Sequence, residues 1–306
     1  MNWQGVIPAI TTPFRTNLKV DHEFLARHAR WLIDNGCTGI VALGSLGEGA
    51  TLSFDEKIEI LQTLVKELGD IPVVAGVSSL STLEAVELAK AAEQAGCQGL
   101  MVLPPYVYST DWREMKAHVA AILGATGLSC MLYNNPIAYR TDFLVEHVDE
   151  LLGEFSNLHA VKESSADVRR VTSIKAQCDN RIHISVGVDD VIVEGIAAGA
   201  RGWIAGTVNA LPRESVQLFD LALAGKHEEA FEIYRWFLPL LKLDVVPKFV
   251  QLIKLAQQEA GAGSELVRGP RLILAGAERE AALDLIHKGL QNRPRIVEAS
   301  TPFPGV

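Results

Sequence analysis

The sequence contains little cysteine and no long run of apolar residues. Its 306 residues include only four cysteines, which lie far apart and are never spaced Cys-x-x-Cys. This pattern favours neither a disulfide framework nor a zinc knuckle. No apolar run reaches the roughly 18 residues that a membrane-spanning helix requires, and residues 1–4 lack the basic region of a secretory signal. We therefore expect a cytoplasmic protein with no membrane partner.

Positive charge is also scarce. The chain carries 28 Lys and Arg residues against 37 Asp and Glu residues, which gives a net charge of −9. This balance argues against nucleic acid as a partner, although a local site can still bind a small anion. The histidines show no His-Glu-x-x-His or His-x-His spacing, and there is no phosphate-binding loop. We expect no metal and no other cofactor, which disfavours a metal-dependent aldolase.

A repeated pattern runs through the first two thirds of the chain. Segments 35–39, 95–99 and 198–202 each contain a glycine-bearing turn that is followed at once by an apolar run. Each is typical of a helix that ends at a glycine and leads into a short strand buried on both faces. The recurrence indicates a chain built of αβ modules.

Eight short strands are predicted in all, and amphipathic helices separate most of them. This alternation indicates an α/β fold with a parallel sheet and right-handed crossovers. Eight units predict a (β/α)8 TIM barrel over residues 1–225, with an open doubly wound sheet as the alternative. The strands are expected at residues 6–11, 40–43, 72–77, 100–103, 129–133, 158–162, 182–186 and 203–205.

The strand pattern stops after about residue 225. Residues 226–306 are predicted to form a small C-terminal helical domain, with helix breaks near Pro239, Pro247 and residues 261–270. From Arg293 onward the chain is rich in proline, so a loose tail is expected.

A barrel carries its active site at the carboxyl ends of its strands, and one predicted strand ends there in Lys162. This lysine follows the apolar residues 158–161, where a solvated lysine has no reason to be. A desolvated lysine has a lowered pKa, and its neutral amine attacks a carbonyl or imine carbon to form a Schiff base. The alternative is a lysine paired with a carboxylate at the barrel rim.

Two hydroxyl groups favour the catalytic interpretation. Tyr133 ends the neighbouring strand, about 4.8 Å away, and a phenol beside an amine can shuttle the protons of Schiff-base formation. Ser45 lies in the loop at residues 44–49, whose glycines let backbone N–H groups approach an anion. In the same loop, Glu48 is better interpreted as a structural carboxylate than as a catalytic one.

These residues resemble the dihydrodipicolinate synthase / N-acetylneuraminate lyase superfamily over nearly the whole chain. Four motifs carry the resemblance: Gly-Ser-Leu-Gly-Glu at 44–48, Tyr-Asn-Asn-Pro at 133–136, Val-Lys-Glu-Ser-Ser at 161–165 and Gly-Val-Asp-Asp at 187–190. The resemblance implies a barrel with a C-terminal helical domain, usually assembled as a homotetramer. It also implies a carboxylate-binding loop, a proton-shuttling tyrosine and a Schiff-base lysine.

The predicted site has three groups of residues. Lys162, Tyr133 and Ser45 are expected to be catalytic. The loop at residues 105–108 is expected at the barrel mouth near a subunit contact, through Tyr106 and Tyr108. The residues expected to bind substrate are Gly44, Leu46, Gly47, Thr11, Arg140, Gly187, Asp189 and Ile204.

Three positions depart from the dihydrodipicolinate synthases of this superfamily. Leu46 replaces the second hydroxyl of the carboxylate loop, Val107 stands where they carry a second tyrosine, and Ala138 stands where they carry an arginine, which here appears at Arg140. The combination looks most like the 1-pyrroline-4-hydroxy-2-carboxylate deaminases. The alternatives are a dihydrodipicolinate synthase, a 2-keto-3-deoxy sugar acid aldolase or dehydratase, and a ligand-binding sensor on the same fold.

Overall fold

A closed parallel barrel forms the centre of the molecule, in a computed structural model that describes residues 1–107 and 111–304. Its strands are β1 (Gly5–Pro8), β2 (Ile40–Ala42), β3 (Val73–Val77), β4 (Gly99–Val102), β5 (Ser129–Asn134), β6 (Leu158–Glu163), β7 (His183–Val186) and β8 (Gly202–Ala205). They pair in the order β1-β8-β7-β6-β5-β4-β3-β2. A parallel bridge between Ala9 and Val41 joins the two ends of the sheet. The fold is a (β/α)8 TIM barrel, as the sequence predicts.

Helices surround the barrel and follow it along the chain. Strands such as β3, β4 and β5 are buried along their whole length, because side chains fill the barrel inside and helices cover it outside. The helices are α1 (His22–Asp34), α2 (Phe54–Leu68), α3 (Thr82–Gln94), α4 (Trp112–Leu123), α5 (Pro136–Tyr139), α6 (Val145–Glu154), α7 (Arg169–Cys178), α8 (Ile192–Ala197), α9 (Pro212–Leu223), α10 (His227–Leu241), α11 (Phe249–Glu259) and α12 (Gly276–Gln291).

The N-terminus of α2 carries a complete capping box. The backbone N–H of Glu56 donates to the Ser53 hydroxyl at 3.2 Å, and the backbone N–H of Ser53 donates to the Glu56 carboxylate at 2.9 Å. These two bonds satisfy donors that the first helical turn leaves without partners. Within the described residues, no helix is long and apolar enough to cross a membrane.

Two predicted boundaries differ from the structure. The first strand ends at Pro8 instead of residue 11, because the backbone N–H of Thr11 donates to the Asn209 side chain and not to a strand partner. The helix break predicted near Pro239 comes two residues later, since this proline lies inside α10, which ends at Leu241. A proline inside a helix costs about 3 kcal/mol, and burial of the neighbouring Phe237 and Leu240 in the core offsets that cost.

The C-terminal tail is docked against the barrel, so the expectation of a loose tail is wrong up to residue 304. The backbone N–H of Thr301 donates to the Asn35 side chain at 3.0 Å, and the Ser300 hydroxyl donates to the Glu214 carboxylate at 2.5 Å. The Phe303 ring stacks on Phe24 with 5.0 Å between centroids. Aromatic packing and buried hydrogen bonds hold this segment despite its prolines. The domain boundary at 225/226 stays a prediction.

Candidate active site

A cavity of about 560 Å³ opens at the carboxyl ends of the barrel strands. Active sites of TIM barrels lie at this end. Barrel loops form most of its wall, and residues from the α10–α11 connection, the start of α11 and the α11–α12 connection form the rest. Its lining includes Gly44, Ser45, Leu46, Glu48, Tyr106, Tyr133, Ala138, Tyr139, Lys162, Gly187, Ile204, Gly206, Asp244 and Arg271.

Lys162 stands at the centre of this end of the barrel. It pairs in register with Tyr133 on β5 and with Ser185 on β7, and its residue is only 6% exposed. Its Nζ lies 4.0 Å from the centroid of the Tyr133 ring. Burial lowers the pKa of this amine, while the nearby Asp244 carboxylate opposes that shift. Lys162 makes no salt bridge with any described residue, which argues against the rim-paired alternative.

Gly187 makes room for the lysine. A Cβ atom at this position would lie 2.4 Å from Lys162 Cε and 2.1 Å from Ser164 Oγ. Both distances are far below van der Waals contact, so any larger residue would push the lysine out of its place. Gly187 lines the cavity, as does Ile204 on the neighbouring strand β8.

Three side chains that carry hydroxyl groups lie next to one another beside the lysine. The Ser45 hydroxyl is hydrogen-bonded to the Tyr139 hydroxyl. The Tyr139 ring meets the Tyr133 ring edge to face, at 5.8 Å between centroids and 89° between planes. Burial raises the pKa of the Tyr133 phenol, and a hydrogen bond from Asn135 at 3.1 Å opposes that shift. Burial also raises the pKa of the Tyr139 phenol, so the site favours the protonated form of both phenols.

Tyr139 was missed as a site residue by the sequence analysis. Its signal is the short helix α5, which begins at Pro136, a residue whose fixed φ suits a first helical position. The Asn135 side chain caps this helix by accepting from the backbone N–H of Ala138 at 3.0 Å. One helical turn brings residue 139 back over the strand end, against Ser45.

The loop at residues 44–49 has the geometry of an anion site. The backbone N–H groups of Ser45 and Leu46 donate to no acceptor within residues 1–107 and 111–304, and both residues line the cavity. Exposed N–H groups in a tight loop attract a carboxylate. Gly49 allows the turn to close, because a Cβ there would lie 2.1 Å from the Leu43 carbonyl oxygen.

Glu48 ties this loop to the C-terminal helices. Its carboxylate accepts from Lys254 Nζ at 2.7 Å and from the backbone N–H of Arg268 at 3.0 Å. Both side chains of the ion pair are almost fully buried, at 2% exposure for Lys254 and 0% for Glu48. With these partners Glu48 acts as a structural carboxylate, in agreement with the preferred interpretation of the sequence.

Four of the residues expected to bind substrate do not line the cavity. The Thr11 hydroxyl donates to Gln257 at 2.8 Å. Gly47 is packed under Ile10, where a Cβ would lie 2.9 Å from the carbonyl oxygen. Arg140 is exposed and ends α5 in the left-handed conformation, at φ 57°. The turn that brings Tyr139 inward thus directs the chain away from the cavity at the next residue.

Asp189 is the fourth of these residues. It is fully buried, and its carboxylate accepts from Trp203 Nε1 at 2.8 Å and from the backbone N–H groups of Gly206 and Thr207 at 3.2 and 2.8 Å. These donors fill the carboxylate, which therefore shapes the loop after β8 and does not contact a substrate directly.

The aromatic loop at the mouth is described only in part. The Tyr106 ring lines the cavity and lies 5.0 Å from the Tyr139 ring between centroids. Tyr108, which the sequence analysis placed beside it, falls outside the residues that the structure describes.

The chain matches a known protein family over almost its whole length. The model of the dihydrodipicolinate synthetase family matches residues 2–288 of the chain. The chain belongs to this family. The protein is therefore an enzyme, a Schiff-base lyase of the dihydrodipicolinate synthetase family.

Relatives of this family member match nearly its whole length. The 4-hydroxy-tetrahydrodipicolinate synthase of Methanococcus maripaludis is 34% identical over 277 residues, which cover 90% of this chain and 95% of that protein. A solved dihydrodipicolinate synthase of Bacillus anthracis has a TM-score of 0.90 at 27% identity, covering 96% of this chain and 100% of that one. The pyruvate complex of the Acinetobacter baumannii enzyme has a TM-score of 0.88 at 28% identity, covering 94% and 99%.

Two charged residues of this family member enter the cavity from beyond the barrel. Asp244 lies in the turn Lys242–Val245 between α10 and α11, and Arg271 lies between α11 and α12. Both line the cavity. Sequence reasoning missed them because it looked for chemistry at strand ends. The position of a residue in such a connection follows from how the helices pack against the barrel, and the local sequence does not indicate it.

Proposed function

We propose that Lys162 forms a Schiff base with C2 of a small 2-oxo acid or cyclic imine carboxylate. The observation that carries this proposal is a buried lysine beside Tyr133 with no salt bridge to a described residue. Burial lowers the pKa of Lys162, so less free energy is needed to deprotonate it to the neutral, nucleophilic amine. The relative crystallised with pyruvate holds a ligand of this class.

The substrate that we propose is 1-pyrroline-4-hydroxy-2-carboxylate, converted with one water to 2,5-dioxopentanoate and ammonia. Ala138 lines the cavity where an arginine would serve a second, carboxylate-bearing substrate, and Arg140 is exposed outside it. Tyr139 fills the space above Ser45 from within the same chain. A site of this kind suits a reaction in which a single substrate binds and its ring is opened.

The substrate carboxylate would bind the free N–H groups of Ser45 and Leu46, together with the Ser45 hydroxyl. Lys162 Nζ then forms a bond to C2, and the ring C2–N bond breaks to leave an open chain held as an iminium. Tyr133 donates its proton to the ring nitrogen as the C2–N bond breaks, and the phenolate that remains removes a proton from C3, which the iminium makes acidic. Tyr139 and Ser45 supply a route by which that proton reaches the substrate nitrogen or solvent.

The remaining steps release one water and take up two. Electrons from the C3–H bond expel the hydroxyl at C4 as water, which leaves a C3–C4 double bond. Proton transfer from C5 to C3 converts this species into an enamine at C4 and C5. Protonation of C4 turns this enamine into an iminium at C5. Water adds there to release ammonia, and a second water frees the product from Lys162.

A second candidate is 4-hydroxy-tetrahydrodipicolinate synthase, the name that the similar relatives carry. This reaction condenses pyruvate with aspartate semialdehyde and needs a cation for the carboxylate of the second substrate. Arg271 lines the cavity and pairs with no described carboxylate, so it offers that cation in place of the residue at 138.

A turnover screen distinguishes the two candidates. Purified enzyme is given 1-pyrroline-4-hydroxy-2-carboxylate, pyruvate with aspartate semialdehyde, or 2-keto-3-deoxy sugar acids. We expect ammonia release from the imine, measured with a coupled semialdehyde dehydrogenase. Condensation of pyruvate with aspartate semialdehyde, without ammonia release from the imine, would show that the proposed substrate is wrong. Loss of that condensation in Arg271→Ala would then indicate that Arg271 binds the carboxylate of the second substrate.

A further inference from the structure

The cavity holds one carboxyl group that the structure leaves without a partner. Of the acidic side chains within residues 1–107 and 111–304, Glu48 and Asp244 line the cavity. Glu48 is bound by Lys254 and by the backbone of Arg268. Asp244 receives no hydrogen bond and forms no salt bridge among the described residues. Its oxygens are therefore available to a bound molecule.

The barrel makes a place for this carboxyl group. A Cβ atom at Gly206 would lie 2.0 Å from Asp244 Oδ1 and 2.4 Å from its Cγ. Gly206 has φ −99° and ψ −52°, a conformation open to every L-residue, so backbone strain is no reason for glycine here. Glycine is needed at this position because Asp244 approaches the loop after β8 so closely that any side chain there would collide with it.

The electrostatics of the site favour the protonated acid. Burial raises the pKa of Asp244 well above its usual range, and the neighbouring Asp189 and Asp190 carboxylates add to the shift, while the Lys162 charge opposes it. These are the charged groups that face Asp244 from the barrel. A carboxyl group that stays protonated in a cavity can donate a hydrogen bond and a proton.

We propose that Asp244 is a further catalytic residue, which protonates the hydroxyl group that leaves C4 of the chain bound to Lys162. This assignment rests on the proposed function. The elimination takes one proton from C3 and places another on the departing oxygen. The C4–O bond breaks, its electrons and the Asp244 proton leave as water, and the aspartate is left as carboxylate. It regains a proton from the water molecule that later adds at C5.

Two separate acid–base groups suit this elimination. Tyr133 sits beside Lys162 and takes the C3 proton, so it cannot hold a second proton for the leaving group at the same moment. Asp244 approaches from the β8 side through Gly206, while Ser45 and Tyr139 lie on the β2 and β5 side. The cavity thus has a proton acceptor and a proton donor on different walls.

The test uses the full-length enzyme and three variants. Asp244→Asn keeps the shape and removes the acid, and Gly206→Ala displaces the acid without changing it. Asp220→Asn is the control, because it removes a carboxylate on α9 that neither lines the cavity nor contributes to the pKa shift of Asp244. We expect ammonia release to fall about 10²–10⁴-fold in the first two variants, the range of a general acid, and to stay near the wild-type rate in the control.

Two probes separate proton donation from a structural role. Deuterium exchange into the methyl group of pyruvate reports Lys162 and Tyr133 alone, and it should persist in Asp244→Asn. The 4-fluoro analogue of the imine loses fluoride without needing a proton, so fluoride release should show little difference between Asp244→Asn and wild type. Normal fluoride release by a variant that has lost ammonia release would identify Asp244 as the acid that protonates the leaving group.

The outcomes that overturn the proposal are distinct. Near-wild-type ammonia release by Asp244→Asn, or an equal loss in Asp220→Asn, removes the role of Asp244 while the proposed function stands. Equal losses of ammonia release, pyruvate exchange and fluoride release place Asp244 in support of Lys162 and not at the leaving group. Wild-type enzyme that exchanges pyruvate but releases no ammonia overturns the proposed function, and the Asp244 assignment with it.

Discussion

Lys162 and Tyr133 are register partners on adjacent strands, and the lysine Nζ lies 4.0 Å from the centroid of the tyrosine ring. Their closeness is set by the backbone ladder and not by a flexible loop. Neighbouring parallel strands cannot shift relative to each other without breaking that ladder. The amine and the phenol therefore keep their relation before any substrate binds.

The first prediction concerns the covalent step. Borohydride with pyruvate or the imine should add irreversible mass to Lys162, because reduction traps a Schiff base. The Lys162→Ala variant should show no such adduct by mass spectrometry of its peptides. Lys116, which pairs with Glu150 and Glu154 on the surface, provides the control, and Lys116→Ala should still be trapped. An undiminished adduct in Lys162→Ala would remove the lysine from the mechanism.

The second prediction concerns the shuttle. Tyr133→Phe keeps the buried ring and removes the hydroxyl, so the fold should persist while turnover falls about 10²–10⁴-fold. Tyr234, whose hydroxyl donates to the Asp190 carbonyl away from the cavity, is the matched control. Turnover of Tyr133→Phe near that of Tyr234→Phe, in conditions where chemistry limits the rate, would refute the role.

The third prediction concerns the link between Ser45 and Tyr139. If their hydrogen bond carries protons as a unit, Ser45→Ala and Tyr139→Phe should each slow turnover, and the double variant should be no worse than the slower single one. Residues that share one interaction are not additive. A double-mutant cycle on kcat measures this, and full additivity would show that the two hydroxyls act separately.

The fourth prediction concerns the buried pair of Glu48 and Lys254. Lys254→Met leaves a buried carboxylate without its cation, which should cost about 3–5 kcal/mol of unfolding free energy. KM should also rise, because Glu48 holds the loop that binds the substrate carboxylate. Lys248→Met removes a pair whose side chains are 51% and 50% exposed and should cost only about 0–1 kcal/mol. Urea unfolding of both variants checks the difference.

The fifth prediction concerns assembly. The mouth loop carries Tyr106 and exposed Val107, and the family resemblance places this loop near a subunit contact. We expect a homotetramer in solution. Light scattering at micromolar concentration measures the mass directly, and a monomer there would contradict the expectation.

One physical reason explains why the barrel and three central residues of the site could be predicted from the sequence. Strand ends in a parallel barrel converge, so Lys162, Tyr133 and Ser45 could be placed together from strand order alone. The same reasoning failed for Asp189, because a strand-end carboxylate can also turn back to bind backbone N–H groups. Nothing in the local sequence separates those two orientations.

Helix packing accounts for what the sequence did not predict. Asp244 and Arg271 lie in connections between C-terminal helices, more than 60 residues beyond Lys162 along the chain. Their approach depends on how α10 and α11 lie against the barrel. Pro239 is a related case, because the local preference of proline to end a helix is overcome by burial of the residues around it.

Residues 244–247, 249 and 271 line the cavity, so the cavity is built from two separate stretches of chain. The strands carry Lys162 and Tyr133, which we propose to be the reactive amine and its proton shuttle, and the connections between the later helices carry Asp244 and Arg271. On this proposal, replacing those connections changes which molecule is accepted while the bond to Lys162 still forms. Evolution and the protein engineer can thus alter selectivity here without rebuilding the barrel.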